Sequence, residues 1–157
     1  MQELCPAQKT AYEHLLKSVS VGNVCVVWSH VGMGRTTILK ELHREKGGEL
    51  LTLKDYIDDL RMQNPLQMEE ALEQMLMRSI NRNDLVILDD LSLIYDVICG
   101  CGFMSPYPRA KYIEAILTSI AAKICETEKC VVFSIDGVIP KPLDSRCFNS
   151  SIKKYDL

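Results

Sequence analysis

The chain has 157 residues, 47% of them hydrophobic and 25% charged, with a formal net charge of −3. That length suits one domain with a real core and excludes a second large one, while the slight acidity gives no support to general nucleic-acid binding. The polar N-terminus is not a signal peptide, no apolar run is long enough to span a membrane, and an odd count of seven cysteines reads as reduced thiols in a cytoplasmic (or nuclear) protein.

Cys25, Cys125 and Cys130 sit inside apolar strand or helix patterns. Cys99 and Cys101 are too close together for a C-x-x-C zinc knuckle.

Helical spacing runs from Pro6 to Val19, with Ala7, Tyr12, Leu15, Leu16 and Val19 as the apolar stripe. Gly22-Asn23 turns the chain into a first strand, Val24 to Trp28. A helix over Thr36 to Lys46 carries Ile38, Leu39 and Leu42 inward and stops at Gly47-Gly48. Leu50 to Leu53 reads as a short strand, and Lys54 to Met62 as a helical turn or short helix.

Pro65 opens an amphipathic helix with Met68, Ala71, Leu72, Met75, Leu76 and Ile80 on one side. Its methionines read as core filling. Asn81 to Asp84 is a turn. Leu85 to Leu88 is a continuous apolar run, as a strand buried on both faces requires, and Asp89-Asp90 ends it. Gly100 to Pro108 is a loop, Arg109 to Glu126 a helix, Cys130 to Ile135 a buried strand, and Ser151 to Tyr155 a last strand. Strands alternating with helices predict an α/β domain with a mostly parallel sheet covered on both faces. Ligands in such sheets bind at the carboxyl ends of the strands.

Two motifs lie at those ends. The first is Ser29-His30-Val31-Gly32-Met33-Gly34-Arg35-Thr36-Thr37, between a strand and a helix. Gly32 and Gly34 let amide N–H groups turn toward phosphate oxygens, and the following helix start adds partial positive charge. The phosphate-loop pattern is G-x-x-x-x-G-K-[ST]. Here Ser29 replaces the first glycine and Arg35 the lysine, whose compact charge a forked guanidinium does not reproduce. Thr36 stands at the Mg²⁺-holding position. A plain strand-to-helix turn is the alternative. The second motif is the acidic strand end. Asp89 would hold the metal and Asp90 would polarise a water, unless one of them only caps the next helix. His30 reads as a loop residue contacting its neighbours. Phe103, Tyr107 and Arg109 suit either a partner-facing loop or a packed connection.

From about Asn23 to Leu157 the chain resembles the AAA (AAA+) P-loop ATPases, as their large α/β subdomain. Ser29 to Thr37 stand as a degenerate Walker A and Leu85 to Asp90 as Walker B. The resemblance implies ATP and Mg²⁺ as cofactors, with Val31, Gly32, Met33, Gly34, Arg35, Thr36 and Thr37 binding nucleotide and Thr36 with Asp89 holding the metal. It further implies Asp90 as the water-positioning carboxylate and Ser134, at the end of Cys130 to Ile135, as the sensor of the γ-phosphate. Arg146, within Leu143 to Phe148, corresponds to an arginine reaching a neighbouring subunit. The sequence departs from the family at Ser29 and Arg35, at Asp90 where glutamate is usual, and in lacking the helical lid subdomain.

The expectation is a single domain over 1–157, with an N-terminal helix in 1–22 and a core in 23–157. It would bind ATP and act as a weak ATPase remodelling a protein or nucleic-acid partner. The alternative is a hydrolysis-deficient assembly module, self-associating or joining related ATPase subunits. A small P-loop kinase is the third reading. A fragment or short isoform of a longer protein also fits the sequence.

Overall fold

The computed structural model describes residues 4–64, 66–99 and 108–152. The elements run α1 (Pro6–Val21), β1 (Val24–Trp28), α2 (Arg35–Lys46), β2 (Glu49–Leu51), α3 (Leu53–Arg61), α4 (Met68–Arg82), β3 (Leu85–Leu88), α5 (Leu91–Cys99), α6 (Pro108–Cys125), β4 (Cys130–Ile135), α7 (Lys141–Asp144) and β5 (Phe148–Ser151). The five strands form one sheet in the order β2-β3-β4-β1-β5, and every neighbouring pair is parallel. Parallel neighbours need crossover connections, and the helices supply them.

Strands β1 to β4 feed two layers, because successive side chains point to opposite faces. Val24, Val26, Val86, Leu88, Val131 and Phe133 face one core with residues of α4, α5 and α6. Cys25, Val27, Ile87 and Val132 face a second core with α1 and α2. The sheet is thus covered on both faces, as the apolar strand runs predict. Register then decides what the strand ends bring together. Val27 pairs with Ser134 and Trp28 with Ile135, while Leu88 pairs with Phe133. The segments following β1, β3 and β4 therefore emerge side by side.

Some boundaries differ from expectation. The helix after the glycine loop starts at Arg35, so the guanidinium belongs to its first turn. The turn before β3 shrinks to Asn83 and Asp84, because α4 continues through Arg82. The last strand is Phe148–Ser151, earlier than Ser151 to Tyr155, since parallel pairing with Cys25 to Trp28 sets its position. The short helix α7 has no periodic stripe to announce it; Pro142 stands in its first turn and Leu143 is buried. Residues 100–107, which carry most of the loop expected over Gly100 to Pro108, including Phe103 and Tyr107, lie outside the described residues, as do Pro65, expected to open α4, and residues 153–157. Among the described residues no helix is long and apolar enough to cross a membrane.

Candidate nucleotide site

The loop after β1 is held at both ends. The Ser29 N–H donates to the Ile135 carbonyl (3.3 Å), and the Met33 N–H turns back to the His30 carbonyl (3.4 Å). Gly32 and Gly34 have φ values of 84° and 87°, which side-chain-bearing residues rarely adopt. Gly34 has a second reason to be glycine: a Cβ there would lie 2.2 Å from Gln8 Nε2. Gln8, on α1, donates from Nε2 to the Met33 carbonyl (3.2 Å) and accepts the Cys5 N–H at Oε1 (3.1 Å). The first N–H groups of a helix have no acceptor within it. In α2 those of Thr37 and Ile38 return to the Gly34 carbonyl (3.1 and 3.2 Å), which leaves those of Arg35 and Thr36 at the helix start. A cavity of about 300 Å³ lies over this turn, lined by residues 30–36 and Asp90. Val31 is exposed, and the His30 ring stands edge-on to Trp28, 5.3 Å between centroids.

Beneath the loop Thr36 and Asp89, the two residues expected from the sequence to share a metal, are hydrogen-bonded. Thr36 Oγ1 donates to Asp89 Oδ2 at 2.7 Å, and Asp89 is 4% exposed. The backbone of Asp89 is fixed by its N–H donating to the Leu51 carbonyl (2.9 Å). Asp90 follows with φ 57°, a left-handed conformation that aspartate tolerates better than most residues. Its N–H donates to Asp89 Oδ1 (3.0 Å) and to Ser134 Oγ (3.4 Å). Asp90 closes the start of α5 with its carbonyl, which accepts from the Leu93 and Ile94 N–H groups (3.1 and 3.2 Å). Its carboxylate stays at the rim of the cavity. Burial and the neighbouring Asp89 hold that carboxyl above the usual carboxylate range, against the pull of Arg35.

Arg35 is the largest departure from a plain phosphate loop. Its side chain is 9% exposed and turns inward rather than over the loop. Nε donates to Ser134 Oγ (3.2 Å), Nη1 to the Ser29 carbonyl, and Nη2 to Asp136 Oδ2 (3.3 Å). Asp90 Oδ1 lies 3.9 Å from Nη2. Asp136, just past β4, is in turn clamped by Ser92 of α5. Ser92 Oγ accepts the Asp136 N–H (2.9 Å) and donates to the Asp136 carbonyl (3.0 Å).

Of the residues singled out in the sequence, Ser29, Arg35, Thr36, Asp89, Asp90 and Ser134 converge. Arg146 does not join them; it is an exposed residue whose Nη1 donates to the Thr118 carbonyl on α6 (3.3 Å). Gln8, Ser92 and Asp136 were missed. Asp136 carried a usable signal, an acid directly after a buried strand, the same sign that marks Asp89. Gln8 and Ser92 carried none, since their reach depends on how α1 and α5 dock. A larger cavity of about 490 Å³ lies between α5 and the segment after β4, but the glycine loop does not line it.

The residues present fit a magnesium-bound polyphosphate. A hydroxyl and a carboxylate are hard oxygen donors of the kind magnesium takes alongside water and phosphate. Among the described residues no group of three or more His, Cys, Asp or Glu side chains is placed to hold a metal, so phosphate and water would complete the shell. No Cβ contact within 4 Å would meet a side chain at Gly32, so the backbone there is open to approach.

No family model matches the sequence, and no curated protein is similar to it. Solved structures are. The DnaC helicase loader superposes with a TM-score of 0.54 at 15% identity, covering 98% of this chain and 94% of that one. The replication initiator DnaA bound to AMPPCP and single-stranded DNA gives 0.52 at 16% identity, covering 92% of this chain and 44% of that one. AMPPCP-bound DnaA from Aquifex aeolicus gives 0.51 at 14% identity, with 94% and 46% covered. This chain therefore spans less than half the length of either DnaA chain. At such identity the likeness shows the fold, and the fold is the AAA-like P-loop one, a parallel sheet with helices on both faces and the glycine loop at its carboxyl edge.

Proposed function

We propose that this chain is an ATP-binding AAA-like domain with slow turnover. The observation that carries the reading is the 2.7 Å bond between Thr36 and Asp89, which joins the first turn of α2 to the end of β3 directly below the open glycine loop. In this reading the N–H groups at the start of α2, with Gly32 and Gly34, bind the phosphates. Thr36 and Asp89 hold the magnesium, and Met33 and Thr37 shape the loop around them. Bound Mg²⁺-ATP supplies the phosphoryl group and the metal that neutralises its charge. Two of the DnaA structures hold AMPPCP, which supports a nucleotide in the same fold.

Asp90 is the chain's candidate base. Burial and Asp89 raise its proton affinity above that of an ordinary carboxylate, the direction that favours taking a proton from water, and its exposure at the cavity rim leaves it reachable. Ser134 is buried beside it and orients its N–H. Slow turnover follows from Arg35, whose fork is engaged by Ser29, Ser134 and Asp136 instead of reaching over the loop. The same engagement favours the second reading, a hydrolysis-deficient module in an assembly of like subunits, with exposed Arg146 serving a neighbour's site. The partner would be a protein or nucleic acid.

Thr36→Ala tests the site. Mg²⁺-ATP affinity falls by ~10-fold or more, as loss of one metal ligand implies, whereas ATP affinity in EDTA stays at the wild-type value. Equal Mg²⁺-ATP affinity in both proteins removes the metal from Thr36.

A further inference from the structure

We infer that Asp136, clamped by Ser92, is the positioning residue that sets nucleotide affinity by holding Arg35 away from the phosphate loop. The inference rests on the nucleotide-site reading above. Arg35 is the only cation touching the cluster formed by Asp90, Ser134 and Asp136 among the described residues. It is also the nearest cation to the loop, being the first residue of α2. One guanidinium cannot serve both purposes fully. Charge-assisted bonds to a carboxylate are stronger than those to neutral acceptors, and Asp136 supplies the carboxylate at 3.3 Å.

Asp136 is not a freely moving side chain on a loop. Ser92 Oγ takes its N–H and gives to its carbonyl, so both backbone polar groups of Asp136 are tied to α5. The carboxylate is two-thirds buried and aimed at Nη2 before any ligand arrives. Phosphates must then draw the guanidinium off Asp136, or bind without it. Either way the apparent affinity is lowered by the fraction of molecules whose arginine is committed. The coupling also runs in reverse: nucleotide that engages Arg35 releases Asp136 and loosens the tie between the glycine loop and α5.

The test compares calorimetric titration of Mg²⁺-ATP into wild type, Asp136→Asn and Ser92→Ala. Asp136→Asn weakens the hold on Arg35, and affinity rises by ~10-fold, equivalent to ~1.4 kcal/mol. Ser92→Ala keeps every charge and only frees the Asp136 backbone, so its affinity rises by a smaller factor, ~3-fold. A merely structural role for either residue would lower affinity, never raise it.

Tightening in Asp136→Asn with wild-type affinity in Ser92→Ala would mean that a negative charge was simply removed near the phosphates, and the proposal fails. Unchanged or weaker binding in Asp136→Asn overturns it as well. If wild type binds and the variants do not tighten, the nucleotide site stands and only this inference falls. If wild type and both variants fail to bind, the site itself is wrong. Binding by the variants alone supports the inference in its strongest form.

Discussion

Gly34→Ala separates the two demands that the glycine loop makes on one residue. The left-handed backbone at φ 87° costs an L-residue about 1–2 kcal/mol. The new Cβ would also stand 2.2 Å from Gln8 Nε2, so the amide must swing away. That movement breaks the bonds to the Met33 carbonyl and the Cys5 N–H, each worth roughly 0.5–1.5 kcal/mol net. The expected loss of unfolding free energy is therefore about 2–5 kcal/mol, the sum of backbone strain and two bonds. Urea denaturation followed by the fluorescence of the single tryptophan, Trp28, measures it. In a Gln8→Ala background the clash and the bonds are already gone, and the same glycine substitution costs only the backbone part, about 1–2 kcal/mol. Equal costs in the two backgrounds would refute the claim that Gln8 braces this loop.

Other consequences follow from the same site. Asp90→Asn leaves Mg²⁺-ATP binding within about twofold of wild type, since it is not assigned to the metal, and abolishes phosphate release; unchanged release would remove Asp90 from the base role. The raised carboxyl of Asp90 also sets a pH dependence. The folded state keeps that proton at pH values where the unfolded chain has lost it, so stability falls as pH rises from the ordinary carboxylate range through the raised value, and the deficit persists above it. Asp90→Asn has no such proton to lose, so its stability gains on wild type across that window; parallel stability-versus-pH curves for the two proteins would contradict this. Arg35→Lys replaces a three-way fork with a single ammonium. It loses bonds to Ser29 or Ser134 and lowers the melting temperature by a few degrees, as ~1 kcal/mol does at this chain length, while Mg²⁺-ATP affinity is kept or improved. Weaker ATP binding in Arg35→Lys would count against the engaged-arginine account.

Much of the fold is legible because a buried parallel strand leaves a plain trace. Val24–Trp28 and Leu85–Leu88 are continuous apolar runs, Cys130–Ile135 is one interrupted only by Ser134, and each is a strand over the expected residues. The helices with clear stripes, α2 and α4, likewise bury Ile38, Leu39 and Leu42, and Ala71, Leu72, Met75, Leu76 and Ile80. The edge strand β5 is harder to place, because three of the four residues of Phe148–Ser151 are polar and it owes its position to pairing with β1. The site divides in the same way. Thr36 and Asp89 are readable from motif spacing, since strand pairing and the crossover helix fix where they meet. The direction of the Arg35 side chain is not readable, because it depends on Asp136 and Ser134 a hundred residues away in sequence and adjacent only through β1–β4 register. Gln8 is hidden for a related reason: nothing in α1 periodicity says that its polar face meets a loop.

The measurement that bears most directly on the central claim is a calorimetric titration of ATP into the intact chain with Mg²⁺ and again with EDTA, followed by phosphate release on the same sample. The account predicts magnesium-dependent binding at one site per chain, with slow phosphate release. Absence of binding under both conditions would contradict it and leave the glycine loop as a turn between β1 and α2.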